Sequence, residues 1–435
     1  MASSRKSKPS PKAVKRIGVA VSGGLDSVVL LDTVCKAVSQ DSPHTIEVWL
    51  FHIHHGLQKQ ADQWLEFCES LAKKYKIHFD FRLLHFSDLS SGNIEARARA
   101  GRYEALTELC AEHGIEDLLL AHHQNDQAET ILLQLLRGSG VAGLSGMPQE
   151  RIQTNGDHSI SLWRPLLGQS RADLEAYAKE KKLKWVEDPS NQSLVYRRNA
   201  IRKQIIPRLE KIQPEAVSNL ARSAGLIAQS QKLLDRLAIL DGKAMIQDEQ
   251  LQVRPLLDLA KKDLPAANNV LRYWLKLNDL AMPSQERLEA WWRDLHNTQA
   301  DARLEWMHDQ KKIYLWRHTL KVACERSGAW EFRPLPSHSK QRGLPASWVK
   351  MAQESNQVSL RVRSGSEKIQ IKPNSPRRTL KNLFQEADVP PWERQAPLLY
   401  VNDELVAVAG VGISYPHLVA SGERILPEWV QNPVK

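Results

Sequence analysis

Ser22-Gly23-Gly24-Leu25-Asp26-Ser27 gathers two glycines, two hydroxyls and a carboxylate into one short stretch. Glycine allows a sharp backbone turn, and a helix beginning there would present unpaired amides and the positive end of its dipole. That is an anion-binding arrangement; a tight turn with a capped helix is the plainer alternative. A second cluster, Ala121-His122-His123-Gln124-Asn125-Asp126-Gln127-Ala128-Glu129-Thr130, sets Asp126, Glu129 and Thr130 at i, i+3 and i+4, on one helix face. Asp126 falls in the first turn, where a carboxylate is favoured. An ordinary acidic helix start would look the same. Beside a phosphate-binding turn, however, Asp26 and Asp126 would supply the oxygen ligands that a magnesium–triphosphate complex requires.

Two further clusters are less specific. His52-Ile53-His54-His55-Gly56-Leu57 holds three histidines in four residues, but a strand would alternate them across its faces. No acid or thiol lies close in sequence, which argues against zinc and for the wall of a nucleotide pocket. Glu95, Arg99 and Arg102, at i, i+4 and i+7, form a polar helix stripe. Such stripes are usually solvated; bordering a pocket, the arginines would clamp phosphates of ATP or RNA.

The elements needed to position these clusters are readable. Strand-like runs at Ile17–Val21, Ile46–Ile53, Ile77–Leu84 and Leu118–Ala121 alternate with helical stretches. The first helix carries Val28, Val29, Leu30, Leu31 and Val34; others are read over Ala61–Lys76, Asn93–His113 and Gln124–Arg137. This order predicts an α/β fold with a doubly wound parallel sheet, whose ligands gather beyond the carboxyl ends of the strands. The glycine turn and the two histidine-containing clusters each follow such an end.

At 435 residues the chain exceeds one ordinary core. Its +10 net charge favours a polyanionic partner. Cys35, Cys68, Cys110 and Cys324 lie far apart, without a Cys-x-x-Cys pair, which argues against a disulfide framework or zinc ribbon and suits a reducing cytoplasm. Residues 1–15 read as a basic disordered tail. The apolar run behind them contains Gly23, Gly24 and Asp26 and lacks a small-residue cleavage site. No apolar run reaches membrane-spanning length.

Ser-Gly-Gly-Leu-Asp-Ser after a strand resembles the pyrophosphate-loop signature of adenylating enzymes, of the adenine nucleotide alpha hydrolase-like superfamily. The Gly-x-x-x-x-Gly-Lys-Ser/Thr P-loop is absent. Further along come His54-His55-Gly56-Leu57, Ala98-Arg99-Ala100-Gly101-Arg102-Tyr103, His122–Thr130, Arg137-Gly138-Ser139-Gly140 and Arg164-Pro165-Leu166-Leu167. Asp188-Pro189-Ser190-Asn191 and Arg198-Asn199-x-x-Arg202 follow. This ordered set resembles the bacterial tRNA(Ile)-lysidine synthases, and the resemblance extends over nearly the whole chain, with Pro390-Pro391-Trp392-Glu393-Arg394 fitting the family's C-terminal pattern. One position departs: Asn125 stands where that family commonly has the first of two aspartates. The resemblance implies ATP-dependent ligation of free lysine to C2 of the wobble cytidine of a CAU-anticodon isoleucine tRNA, through an adenylated cytidine. It implies ATP bound by Ser22, Gly23, Gly24, Leu25, Asp26, Ser27 and His55, and catalysis by Asp26, Asp126 and Arg99. Magnesium would sit at Asp26 and Asp126, and tRNA on Arg102, Arg198, Arg202, Arg377, Arg378 and Lys381. A homodimer is compatible with the sequence. The rivals are a tRNA-thiolating pyrophosphate-loop enzyme, which would want paired cysteines, and a non-catalytic RNA-binding protein, which would not need Ser22, Asp26 and Asp126 intact.

On this reading the catalytic domain spans 16–212, and a small helical tRNA-recognition domain spans 213–326. A Pro/Ser/Gly linker at 327–345 leads to a C-terminal α+β domain at 346–435. Tyr273, Trp274, Trp291, Trp292, Trp306 and Trp316 alternate with aliphatics, and most of them are read as core rather than base-stacking platform. Ser375-Pro376 reads as a helix start. Between Arg361 and Lys381 seven basic residues face one acid, Glu367, the profile of a phosphate-backbone reader.

Overall fold

A computed structural model describes residues 14–41, 45–54, 60–84, 94–155, 158–189, 193–194, 196–297, 304–323, 328–387 and 389–431. It divides into two compact units, Met1–Leu240 and Asp241–Lys435. Most of the expected tail, residues 1–13, and His55 lie outside the described residues. Lys15, expected in the tail, instead begins the first strand and pairs with Asp117 at 2.7 Å.

The first unit alternates β1 (Lys15–Ala20), α1 (Leu25–Asp41), β2 (Ile46–His54), α2 (Ala61–Tyr75) and β3 (His78–Leu83). It continues with α3 (Ile94–Glu112), β4 (Asp117–Leu119), α4 (Gln124–Leu135), α5 (Val141–Leu144), β5 (Glu150–Asn155), β6 (His158–Trp163) and α6 (Arg171–Glu180). The sheet order is β3-β2-β1-β4-β6-β5, parallel except for the edge strand β5, which pairs antiparallel with β6. Strand order reverses at β1/β4, so the crevice beyond their carboxyl ends is the natural ligand position. The glycine turn follows β1 and the His122–Thr130 run follows β4, placing both at that crevice.

Apolar burial fixes this geometry. Val19 and Leu50 with Val28–Leu31 of α1, Cys68 and Leu71 of α2, and Leu174 and Ala178 of α6 fill one side of the sheet. Phe51, Leu118 and Leu162 with Leu106, Leu109 and Cys110 of α3 fill the other. Gly18 sits where a Cβ would lie 3.0 Å from both Leu118 and Phe51, so the strand centre admits no side chain without displacement. After α6, α7 (Arg197–Ala200), a π-helical turn (Ile201–Ile205) and α8 (Ile206–Ile212) run on, with Ile201 and Ile206 packed against Ala128 of α4.

In the second unit, helices Val253–Lys262, Leu264–Leu277 and Gln285–Asn297 pack on a five-stranded antiparallel sheet spanning Ile246 to Val322. The helical reading of 213–326 therefore covers only part of that segment. Short strands carry a weak signal beside the strong helical spacing upstream: Leu304–His308 buries only Trp306, and Lys311–Trp316 buries Ile313, Tyr314 and Leu315 in succession, without alternation. Trp274, Trp291, Trp292 and Trp306 are buried in its core, as their alternation with aliphatics predicts. The expected linker, 327–345, is corrected: Gly328–Pro334 is a strand paired with Arg424–Gln431. Its Trp330 and Phe332 alternate with Glu331 and Arg333, a period hidden by the Pro and Ser that follow. The helix expected at Ser375-Pro376 begins instead at Leu380, capped by Thr379, while Ser375 Oγ donates to the Lys372 carbonyl in a turn.

Candidate nucleotide and carboxylate site

The turn after β1 is tied to itself. Ser27 Oγ donates to the Gly24 carbonyl at 2.9 Å and accepts from the Ser22 amide at 3.2 Å. Gly23 adopts φ +89°, and a Cβ there would meet Val186 Cγ2 at 2.8 Å, so this glycine is required on two counts. A Cβ on Gly24 would approach only Ser22 Oγ, at 3.5 Å, leaving an open cradle over the start of α1. Leu25 is buried; its side chain anchors α1 in the core, leaving backbone alone for a nucleotide. Behind the turn, His52 Nδ1 lies 2.9 Å from the Val21 carbonyl and 3.4 Å from Cys68 Sγ, while His54 Nε2 is 3.1 Å from Asp62. These two histidines brace the strand end rather than converge on a metal.

Three helix N-termini meet here. Asp26 stands in the first turn of α1 and Asp126 in that of α4, with His123 Nε2 between them, 3.6 Å from Asp26 and 3.5 Å from Asp126. Asp126 Oδ2 accepts the His123 amide at 3.0 Å, capping α4. The third is α6: its Arg171 amide donates to Asn125 Oδ1 at 2.9 Å, and one guanidinium nitrogen, Nη1, reaches both Asp26 oxygens at 2.7 and 2.8 Å. The unusual Asn125 thus serves as a carbonyl acceptor for the α6 start, a role asparagine and aspartate share. Arg171 was missed from sequence. A cation at the positive end of a helix opposes the dipole, and the Ser170–Asp173 capping box fixes Arg171 at that end. That local conflict was the available signal.

Arg198 and Arg202, expected on tRNA, have immediate partners inside the first unit. Arg198 Nε contacts Glu129 at 2.6 Å and Arg202 Nε contacts it at 2.5 Å, while both guanidinium groups reach Asp126 Oδ1, at 3.1 and 3.4 Å. Glu129 is fully buried. Arg99 is exposed and packs over the Tyr103 ring at 5.4 Å, and Arg102 sits within the field of Arg99 and Arg198. Among the described residues neither pairs with Asp26 or Asp126, although Arg99 lines a 530 Å³ cavity with Arg151, Arg164 and Tyr103. In the second unit Arg378 pairs with Glu386, whereas Arg377 and Lys381 are exposed.

Burial raises the Asp126 pKa, but the charges of His123, Arg198 and His122 outweigh it and hold the carboxyl below its usual range. Burial drives His122 down to about 3, against the pull of Asp126, and its Nδ1 is buried without a hydrogen-bond partner among the described residues. Both shifts have one sign: the unfolded chain binds protons that the folded chain refuses. The His122 contribution to stability is therefore fully present above 6.5 and is lost as pH falls towards about 3, whereas the Asp126 contribution is lost only below the ordinary carboxylate value of 3.8. We expect His122→Asn to flatten that acid-side decline in denaturant titrations; an unchanged profile would remove His122 from this account. As oxygen donors, Asp26 and Asp126 suit magnesium better than a softer metal. Cys35, Cys68 and Cys110 are buried thiols pushed up to about 12 by desolvation, poor candidates for sulfur chemistry.

A PP-loop domain model matches residues 2–209, a TilS substrate binding domain model matches 255–320, and a TilS substrate C-terminal domain model matches 358–428. The tRNA(Ile)-lysidine synthase of Coxiella burnetii is 35% identical over 90% of this chain and 88% of its own. That of Pseudomonas syringae pv. tomato is 36% identical over 95% and 92%. Among solved structures, the U34-tRNA thiolase NcsA from Methanococcus maripaludis aligns at 15% identity and TM-score 0.43, over 50% of this chain and 73% of that one. Identity at this level along almost the full length of both partners settles kinship: the chain belongs to the tRNA(Ile)-lysidine synthase family.

Proposed function

We propose that the chain ligates free lysine to C2 of the wobble cytidine in a CAU-anticodon isoleucine tRNA, consuming ATP and releasing AMP and pyrophosphate. The observation that carries this reading is the meeting of α1, α4 and α6 N-termini around Asp26, His123 and Asp126, a positive cradle with carboxylates at its rim. In this scheme the amides of Gly23 and Gly24 and the hydroxyls of Ser22 and Ser27 hold the pyrophosphate portion of ATP. Magnesium, held by Asp26 and Asp126, would neutralise charge on the departing pyrophosphate. The cytidine 2-carbonyl oxygen attacks the α-phosphorus, converting a poor leaving group into AMP. The lysine ε-amine then attacks C2, AMP departs, and the amine proton is lost. Extruding the target base is cheaper from an anticodon loop than from a duplex.

The proposal assigns ATP chemistry to residues 16–212 and tRNA recognition to the segments beyond. No helix among the described residues is long and apolar enough to cross a membrane. Labelled ATP should yield AMP and pyrophosphate only when the tRNA is present; ADP as product would overturn the assignment. Arg377→Ala and Lys381→Ala should each lower the salt slope of tRNA binding by about 1, with Arg378→Ala weaker because Glu386 already engages it. Unchanged slopes for Arg377 and Lys381 would remove this segment from the RNA contact.

A further inference from the structure

We infer that Arg171 is an exchangeable counter-ion: it guards Asp26 until a metal–triphosphate arrives, then moves from carboxylate to phosphate. The inference rests on the ATP reading above and adds a residue to it. Both oxygens of Asp26 are engaged by Arg171 Nη1, at 2.7 and 2.8 Å. An incoming cation must therefore displace a guanidinium from Asp26. The place of Arg171 opposes its charge, since it opens α6 at the positive end of the helix. Two anchors hold the residue there: its amide on Asn125 Oδ1 at 2.9 Å, and its Nε on Glu175 at 3.1 Å. The backbone anchor would persist through the exchange, so only the guanidinium need turn. With its side chain 40% exposed, Arg171 has room to do so.

With a cation on Asp26, Arg171 would keep only Glu175 at three converging helix ends, and a phosphate oxygen is the partner that would replace the lost carboxylate contact. Bare metal brings no phosphate, so the guanidinium would lose Asp26 without a replacement. Metal and nucleotide are thus coupled: each binds better with the other present.

Binding to the full-length protein tests this without turnover, using Mn²⁺ alone and a non-hydrolysable ATP analogue with Mg²⁺. Arg171→Ala should tighten Mn²⁺ binding several-fold while weakening analogue binding about tenfold, the loss of one charge-assisted hydrogen bond. Arg171→Lys should recover much of the analogue affinity. Weakening of both ligands with a lowered unfolding midpoint would mark Arg171 as a structural tie only, and no change in either would equally overturn the exchange. Failure of the wild-type protein to bind the analogue would instead overturn the underlying ATP reading.

Discussion

Asp26→Ala should reduce AMP and pyrophosphate release by about 100- to 1,000-fold or more, the scale seen when a charge-stabilising group is removed from an active site. Its tRNA affinity should stay near wild type. The fold is expected to tolerate the change because Asp26 is partly exposed and supports no core packing. Arg171, its main partner, keeps Glu175 at 3.1 Å and is itself 40% exposed, so no buried charge is stranded. Loss of activity with an unchanged unfolding midpoint would place Asp26 in the chemistry. Retention of pyrophosphate release within tenfold would remove it.

Glu129→Ala should behave in the opposite way, failing first in stability. Glu129 is fully buried and is the shared acceptor of Arg198 and Arg202, at 2.6 and 2.5 Å. Without it two guanidinium groups face each other beside Asp126 alone, at a cost of about 3–5 kcal/mol for a broken buried ion pair. The same contacts tie α4 to the α7–α8 segment, where Ile201 and Ile206 pack on Ala128. The first denaturation transition should therefore fall sharply, with Glu129→Gln intermediate because it keeps shape and loses charge. An unfolding midpoint within experimental error of wild type would show that the triad carries no structural load.

How much of this could be read beforehand depended on range. The strand–turn–helix around Ser22–Ser27 and the start of α4 at Gln124 are local: apolar periodicity, glycine and first-turn acids lie within a few residues of one another. The family resemblance was also legible, because it rests on the order of such local motifs. What escaped was long-range. Asp26 meets Arg171 across 145 positions, and Glu129 meets Arg198 across 69; no local pattern reports either partner. The same limit hid the pairing of Gly328–Pro334 with the last described strand and the antiparallel β5 at the sheet edge. Arg198 and Arg202 illustrate the consequence for function. As sequence they are a basic helix face suited to RNA, yet in the fold their immediate neighbours are Asp126 and Glu129. Arg171 did leave one local trace, a cation at a helix N-terminus, where the dipole argument predicts an acid.

The most direct measurement is nucleoside mass analysis of a CAU-anticodon isoleucine tRNA after incubation with the purified protein, ATP, magnesium and isotopically labelled lysine. The account predicts labelled lysine bonded to the wobble cytidine, in amounts matching AMP released, and none when ATP or lysine is withheld. An unmodified cytidine despite AMP release, or sulfur in place of lysine, would contradict it.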